Sequence, residues 1–177
     1  LSVSGISNKA DKLFCNGQQK GKLTDDLYYI DLTDKKKYQL TKNDLQEWGA
    51  VLSKDEKWLA YTSEKDMEGS FAIYINKFPE MNQEIRISSG GGEEPKWMPD
   101  GSGVYYRNGS QWMKVKLVLN SEPEIGEPEL FFEGDYVNVW GPSHDIFPNG
   151  KVLLLKGDKW IPPTEIDVIV NVLNIEF

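Results

Sequence analysis

His144 is the single histidine of the 177-residue chain, and Asp145 follows it directly. An imidazole beside a carboxylate is the beginning of a general acid–base or nucleophilic centre. Such a centre also needs a nucleophile presented on a sharp elbow, and no Gly-x-Ser-x-Gly occurs in the chain. His144 therefore reads as a loop or strand packing residue. Carboxylates are plentiful: Asp25, Asp26, Asp31, Asp34, Glu93, Glu94, Asp135, Asp145 and Asp158. Glycoside hydrolysis would need two of them to converge across a cleft. Without that convergence they read as solvated faces and turn residues. No Asp-x-Asp-x-Asp-Gly calcium loop and no Cys/His cluster for zinc is present, so neither metal nor cofactor is expected. Gly90-Gly91-Gly92 has the composition of a phosphate cradle. It is followed by Glu93, Glu94 and Pro95 rather than by a helix start and a lysine, which makes it a crossing between strands. Trp48, Trp97, Trp112, Trp140 and Trp160 form a second group with binding chemistry, since Trp is enriched at interaction hot spots. Trp48-Gly49 and Trp140-Gly141 each precede a first strand and would face one end of the molecule. The candidate interaction surface is accordingly Trp48, Glu93, Glu94, Trp140 and His144, with core packing as the competing role.

Charge narrows the partners. The net charge is −8 and the isoelectric point about 4.8, against the basic patch that nucleic-acid binding requires. The one dense basic run, Lys35-Lys36-Lys37, follows Asp31 and Asp34 and fits a solvated hairpin edge whose lysines discourage sheet aggregation. Anionic membranes are disfavoured too, and no apolar run is long enough to span a bilayer as a helix. Cys15 is the only cysteine, so no intramolecular disulfide forms; in an apolar run it reads as a small buried hydrophobe. The start, Leu1-Ser2-Val3-Ser4-Gly5, lacks both an initiator Met and a signal-peptide pattern, as in a processed protein, a trimmed chain or a piece of something longer.

The elements that hold these residues repeat. Asn8–Cys15, Ser53–Tyr61, Met98–Tyr106 and Phe147–Leu155 each contain a short turn and then an apolar, aromatic run. Aligning Ala10, Asp55, Asp100 and Asn149 gives spacings of 45, 45 and 49, the period of propeller blades. Leu27-Tyr28-Tyr29-Ile30 matches Ile73-Tyr74-Ile75-Asn76 at an interval of 46. First strands are expected at Ser2–Ser7, Trp48–Leu52, Pro95–Met98 and Val139–Phe147, and second strands at Lys12–Cys15, Lys57–Thr62, Val104–Arg107 and Lys151–Leu155. Third strands are expected at Asp26–Leu32, Phe71–Phe78, Trp112–Leu119 and Glu165–Val172. Fourth strands fall at Lys37–Leu40, Glu84–Ser88, Leu130–Glu133 and Asn174–Phe177. Asn108-Gly109-Ser110 fits a glycosylation sequon but is better explained as a hairpin turn. The fold class is all-β, one domain, with approximate blades at 1–43, 44–90, 91–134 and 135–177.

Three segments carry a family resemblance: Ile73-Tyr74, Arg86 through Trp97 (Arg-Ile-Ser-Ser-Gly-Gly-Gly-Glu-Glu-Pro-Lys-Trp) and Pro99-Asp100-Gly101. Together they resemble the TolB-like β-propeller repeat, most strongly over residues 47–107. From Trp58 onward the chain also resembles the C-terminal propeller part of some bacterial serine/threonine kinases and regulators, through Phe132-Glu133-Gly134 and Pro163-Thr164-Glu165-Ile166. The resemblance implies a WD-like, non-catalytic propeller that binds a protein or peptide partner, with a periplasmic or extracytoplasmic setting implied and a cytosolic one compatible. Alternatives are the gating or sensing part of a larger enzyme, such as a prolyl-oligopeptidase-like peptidase or a kinase, and a carbohydrate-binding propeller. Such rings have six or more blades, whereas 177 residues hold about four. An incomplete ring is therefore expected, and a homodimer would complete or cap it.

Overall fold

The computed structural model describes residues 1–66, 69–138 and 143–156, and the backbone of 167–170. The described residues contain strands and turns but no helix. The first sheet runs β1 (Ser2–Ile6), β2 (Lys12–Gln18), β3 (Asp25–Asp31) and β4 (Lys36–Gln39). The second runs β5 (Glu47–Leu52), β6 (Trp58–Ser63), β7 (Ala72–Lys77) and β8 (Ile85–Arg86). The third contains β9 (Glu93–Trp97), β10 (Gly103–Asn108), β11 (Gln111–Val118), a two-residue β12 (Glu124–Ile125) and β13 (Glu129–Glu133). Both β12 and β13 pair with β11. The fourth contains β14 (His144–Ile146), β15 (Val152–Lys156) and β16 (Asp167–Val170). Every pairing is antiparallel between neighbours in sequence order, apart from the added β11–β13 pairing. The strand expected at Asn174–Phe177 lies outside the described residues, as do Trp140 and Trp160. The short β12 falls between the third and fourth strands expected of that blade, where no strand is expected.

The turns between first and second strands close alike. The amides of Ala10, Glu56, Gly101 and Gly150 donate to the carbonyls of Ser7, Ser53, Met98 and Phe147 at 2.8–2.9 Å. All four donors have positive φ, from 55° to 80°. One place earlier, the side-chain oxygens of Asp55, Asp100 and Asn149 accept the amide two residues on, as turn-forming Asx residues do. Lys9, not Ala10, occupies that place in the first turn, which corrects the sequence alignment by one residue. The first turn relies instead on Ser7 Oγ, which accepts from the amides of Asp11 and Lys12. Neighbouring turns touch: Asn8 reaches the carbonyls of Ser53 and Lys54, Lys9 pairs with Glu56, and Lys54 reaches Pro99 O.

The sheets pack face to face because alternate residues of each strand point to opposite sides. Phe14 and Leu27 of the first sheet meet Leu59, Tyr61, Ala72 and Tyr74 of the second. Trp58, Ala60, Ile73, Ile75 and Ile87 on the other side of the second sheet meet Val104, Tyr106, Val115 and Leu117 of the third. Trp112 of the third meets Val152 and Leu154 of the fourth, with Phe131, Phe132 and Tyr136 around them. Cys15 is buried in the first sheet, and burial pushes its thiol pKa up. The β4 edge carries Lys36 and Lys37 and has each of its four residues exposed to solvent, the hairpin edge expected of that basic run.

Candidate functional site

The inner strands set the site. In β1, β5 and β9 the register with the second strand slips by a bulge, and a bulge re-aims the side chain it carries. Trp48 lies opposite Thr62 and Glu93 opposite Arg107. The next residue is Gly49 at φ 69° in the second sheet, and Glu94 at φ 55° in the third. Glycine takes that conformation freely; glutamate does so at a cost of about 1 kcal/mol and needs surrounding bonds to hold it.

Those bonds come from the fourth sheet. Glu94 Oε2 accepts from the Ser143 amide at 2.6 Å and from Ser143 Oγ at 2.7 Å, and lies 3.1 Å from His144 Nδ1. Arg107 sits behind the same serine. Its Nη1 donates to Ser143 Oγ (3.2 Å) and Val137 O (2.9 Å), Nη2 to Tyr136 O (3.0 Å), and Nε to Gly109 O (2.7 Å). Its guanidinium lies 4.9 Å from the Trp112 ring centre. Glu94, Arg107, Ser143 and His144 are all buried. Burial pushes the Glu94 carboxyl up, but the bonds from His144 and Ser143 outweigh it, and the net shift is downward. Burial also raises Glu93, with the Glu94 charge adding and Arg107 opposing.

Ser143, His144 and Glu94 are the residue types of a hydrolytic triad, but their order is different. Serine and imidazole share one carboxylate oxygen, and no serine-to-imidazole hydrogen bond occurs among the described residues. In a triad the imidazole bridges serine and carboxylate. The group instead fastens the third sheet to the fourth. His144 takes Glu94 as its partner across 50 positions, not the adjacent Asp145. Asp145 is exposed and pairs with Lys96 at 3.6 Å. Glu94 Oε1, His144 Nε2 and Trp112 Nε1 are buried without a hydrogen-bond partner among the described residues.

Beside this group, where three inner strands converge, lies an open recess. Ser4, Trp48, Gly49, Val51, Glu94, Pro95 and Lys96 line it, and its enclosed part of about 10 Å³ has room for about one water. Trp48 is half-buried there, edge-on to Phe71 at 6.1 Å. Of the proposed interaction residues, the structure brings Trp48 and Glu94 to the recess, leaves Glu93 half-buried beside them, and buries His144 behind. Glu94 and His144 are 3% and 4% exposed. The reading of the acids as solvated is corrected for Glu94 and for Asp26, which is 1% exposed and takes bonds from Gln19, Gln39 and the Asn43 amide. Trp112 is core, not surface, and Trp97 donates to Val51 O at 3.0 Å. Sequence reasoning missed Ser143 and Arg107, for which no local motif exists. Gly90–Gly92 does join β8 to β9. A side chain on Gly92 would stand 2.9 Å from Ile73 and Tyr106, so this crossing is tightly packed at its end. Gly109 turns the β10–β11 hairpin at φ 63°. Among the described residues no group of three or more His, Cys, Asp or Glu could hold a metal ion.

No family model matches the chain, and no curated protein does. Its likeness to known proteins appears in solved structures. TolB from Acinetobacter baumannii superposes with a TM-score of 0.62 at 18% identity, over 86% of this chain and 37% of that one. The β-propeller domain of the trilobed protease from Pyrococcus furiosus, described as having an open velcro topology, gives 0.54 at 12% identity, over 96% and 54%. The tricorn protease gives 0.55 at 10% identity, over 90% and 19%. The chain thus spans about half or less of each of these structures, and its stack of antiparallel sheets has the TolB-like β-propeller fold.

Proposed function

We propose that the chain is a non-catalytic propeller scaffold whose inner recess receives a protein or peptide partner. The observation that carries this reading is the recess itself. The half-buried Trp48 and Lys96 meet there beside the buried Glu94 at the convergence of three inner strands. Trp48 offers a large rigid contact surface at low entropic cost, and Lys96, at the mouth of the recess, offers charge for register. The test is to pan a displayed peptide library on the purified chain and titrate the enriched peptides against wild type and Trp48→Ala. Loss of binding by at least tenfold in the variant supports the reading. Equal binding to both, or turnover of the peptides, overturns it.

A second reading is favoured by the likeness to propellers of two proteases: the chain would be the gating or sensing part of a larger enzyme. A peptidase or kinase domain encoded in the same reading frame would support this reading, and a frame confined to these residues would remove it.

A further inference from the structure

The outward side of the first sheet is built like a sheet-to-sheet junction, yet no further sheet among the described residues lies over it. In the second, third and fourth sheets, the second strand turns a pair of apolar residues toward the preceding sheet: Leu59 and Tyr61, Val104 and Tyr106, Val152 and Leu154. All six are at most 5% exposed. The matching pair in the first sheet is Leu13 and Cys15. Register carries the same face across all four strands, because directly paired residues share a side. Val3, Cys15 and Tyr28 form one row; Ile6, Leu13, Ile30 and Lys37 form the next. Tyr28 is the counterpart of Tyr74, which packs against the first sheet. The Lys37 ammonium rests on Tyr28 at 4.5 Å, and Tyr28 and Cys15 are already 3% and 1% exposed, so the open part of this face is the strip along β1 and the row of Leu13 and Ile30. Leu1, Val3 and Ile6 are 69%, 56% and 57% exposed, and Leu13 and Ile30 are half-buried.

We propose that this face is an interface with a second copy of the same chain, which covers it with the outward side of its fourth sheet. The second copy carries the matching surface: Leu153 and Leu155 alternate with the inward Val152 and Leu154, are half-buried, and have no further sheet over them among the described residues. Each junction inside the chain already joins one such outward side to the next inward side, so the contact repeats an arrangement the sequence forms three times. A single two-fold axis satisfies both faces at once: the fourth sheet of each copy meets the first sheet of the other. Two copies of four sheets make eight, within the range of closed propellers. Closure distinguishes this from a head-to-tail chain, which would leave a face open and grow.

The experiment is light scattering on a sizing column, across a hundredfold range of concentration. Wild type is expected at about twice 20.2 kDa. Ile6→Lys and Val3→Lys change exposed positions that do not hold the fold together, and each is expected to give a monomer with an unchanged circular dichroism spectrum. Leu130→Lys, equally exposed but on the third sheet, is expected to remain dimeric. A wild-type monomer at every concentration overturns the proposal. So does a dimer that survives both first-sheet lysines, since its contact then lies elsewhere. The peptide titration is indifferent to these outcomes, because Trp48 stands outside the proposed interface.

Discussion

The junction between the second and third sheets and the junction between the third and fourth bury their contacts by opposite means. The first uses nine buried residues, all of them apolar or aromatic, from Trp58 and Ile75 on one side to Val104 and Val115 on the other. Among the described residues, the second has Trp112, Val152 and Leu154 as its buried apolar cluster, beside a buried ion group of Glu94, His144 and Arg107. Apolar contact is non-directional, so the first junction tolerates any well-filled arrangement. Buried charge stabilises only when each partner is in place, and removing one leaves another without compensation. The contrast teaches that in a repeat built from near-equivalent sheets, one junction is held by volume and the next by geometry.

The comparison breaks most visibly at Arg107. Arg107→Ala strips Val137 O, Tyr136 O, Gly109 O and Ser143 Oγ of their donor, at an expected cost of about 3–5 kcal/mol. In a stack with nearest-neighbour coupling the loss should be local. Hydrogen exchange is expected to show the β15 amides unprotected while β6 keeps its protection; uniform loss across both would contradict the separation of the junctions. On the apolar side, Ile75→Val should cost about 1 kcal/mol in urea unfolding and lower protection in the second and third sheets together.

Acidity sharpens the same contrast. The Glu94 carboxyl is held below its ordinary value, so the unfolded chain binds the extra proton. Its contribution is full above the ordinary carboxylate range and is lost as pH falls through the folded value. Glu47, at the start of β5, is shifted the other way: burial raises it, only partly offset by Thr41 and Asn43. Its charged form therefore costs stability as pH rises through and above the ordinary carboxylate range. In urea midpoints measured against pH, Glu94→Gln is expected to flatten the acid limb and Glu47→Gln to lessen the decline above it. Identical profiles for the two variants would refute the assignment. The smallest effect belongs to the pair of Lys9 and Glu56 between adjacent turns, with Lys9 73% exposed. Lys9→Ala should change stability by less than about 0.5 kcal/mol and lose even that in high salt.

The strands and turns were legible because each rests on local chemistry. Pro99-Asp100-Gly101 announces its turn, and the apolar runs after it have the composition of strands. The first turn was misplaced by one residue because Lys9 stands where the other copies have Asp or Asn. What the sequence hid is whatever depends on residues far apart. Glu94 meets Ser143 and His144 across about 50 positions, and it does so from a backbone conformation that its own identity argues against. Nothing next to Glu94 distinguishes it from the half-buried Glu93. Trp112 carries the same ambiguity, since a tryptophan in a strand reads alike whether its face is covered or open. Trp48, expected ahead of a first strand, is the second residue of β5, and its place at the recess depends on the other strands that meet there.

Cys15 turns the open first sheet into a timed observable. It is the only thiol, is paired with Val3 between β1 and β2, and is 1% exposed with its ionisation suppressed by burial. A thiol reagent can reach it only after the first sheet opens locally, so its labelling rate in native buffer counts the openings of one edge of the molecule, separately from global unfolding. If a second copy lies over that sheet, the same rate acquires a dependence on protein concentration, and the chain reports its own assembly without an added probe.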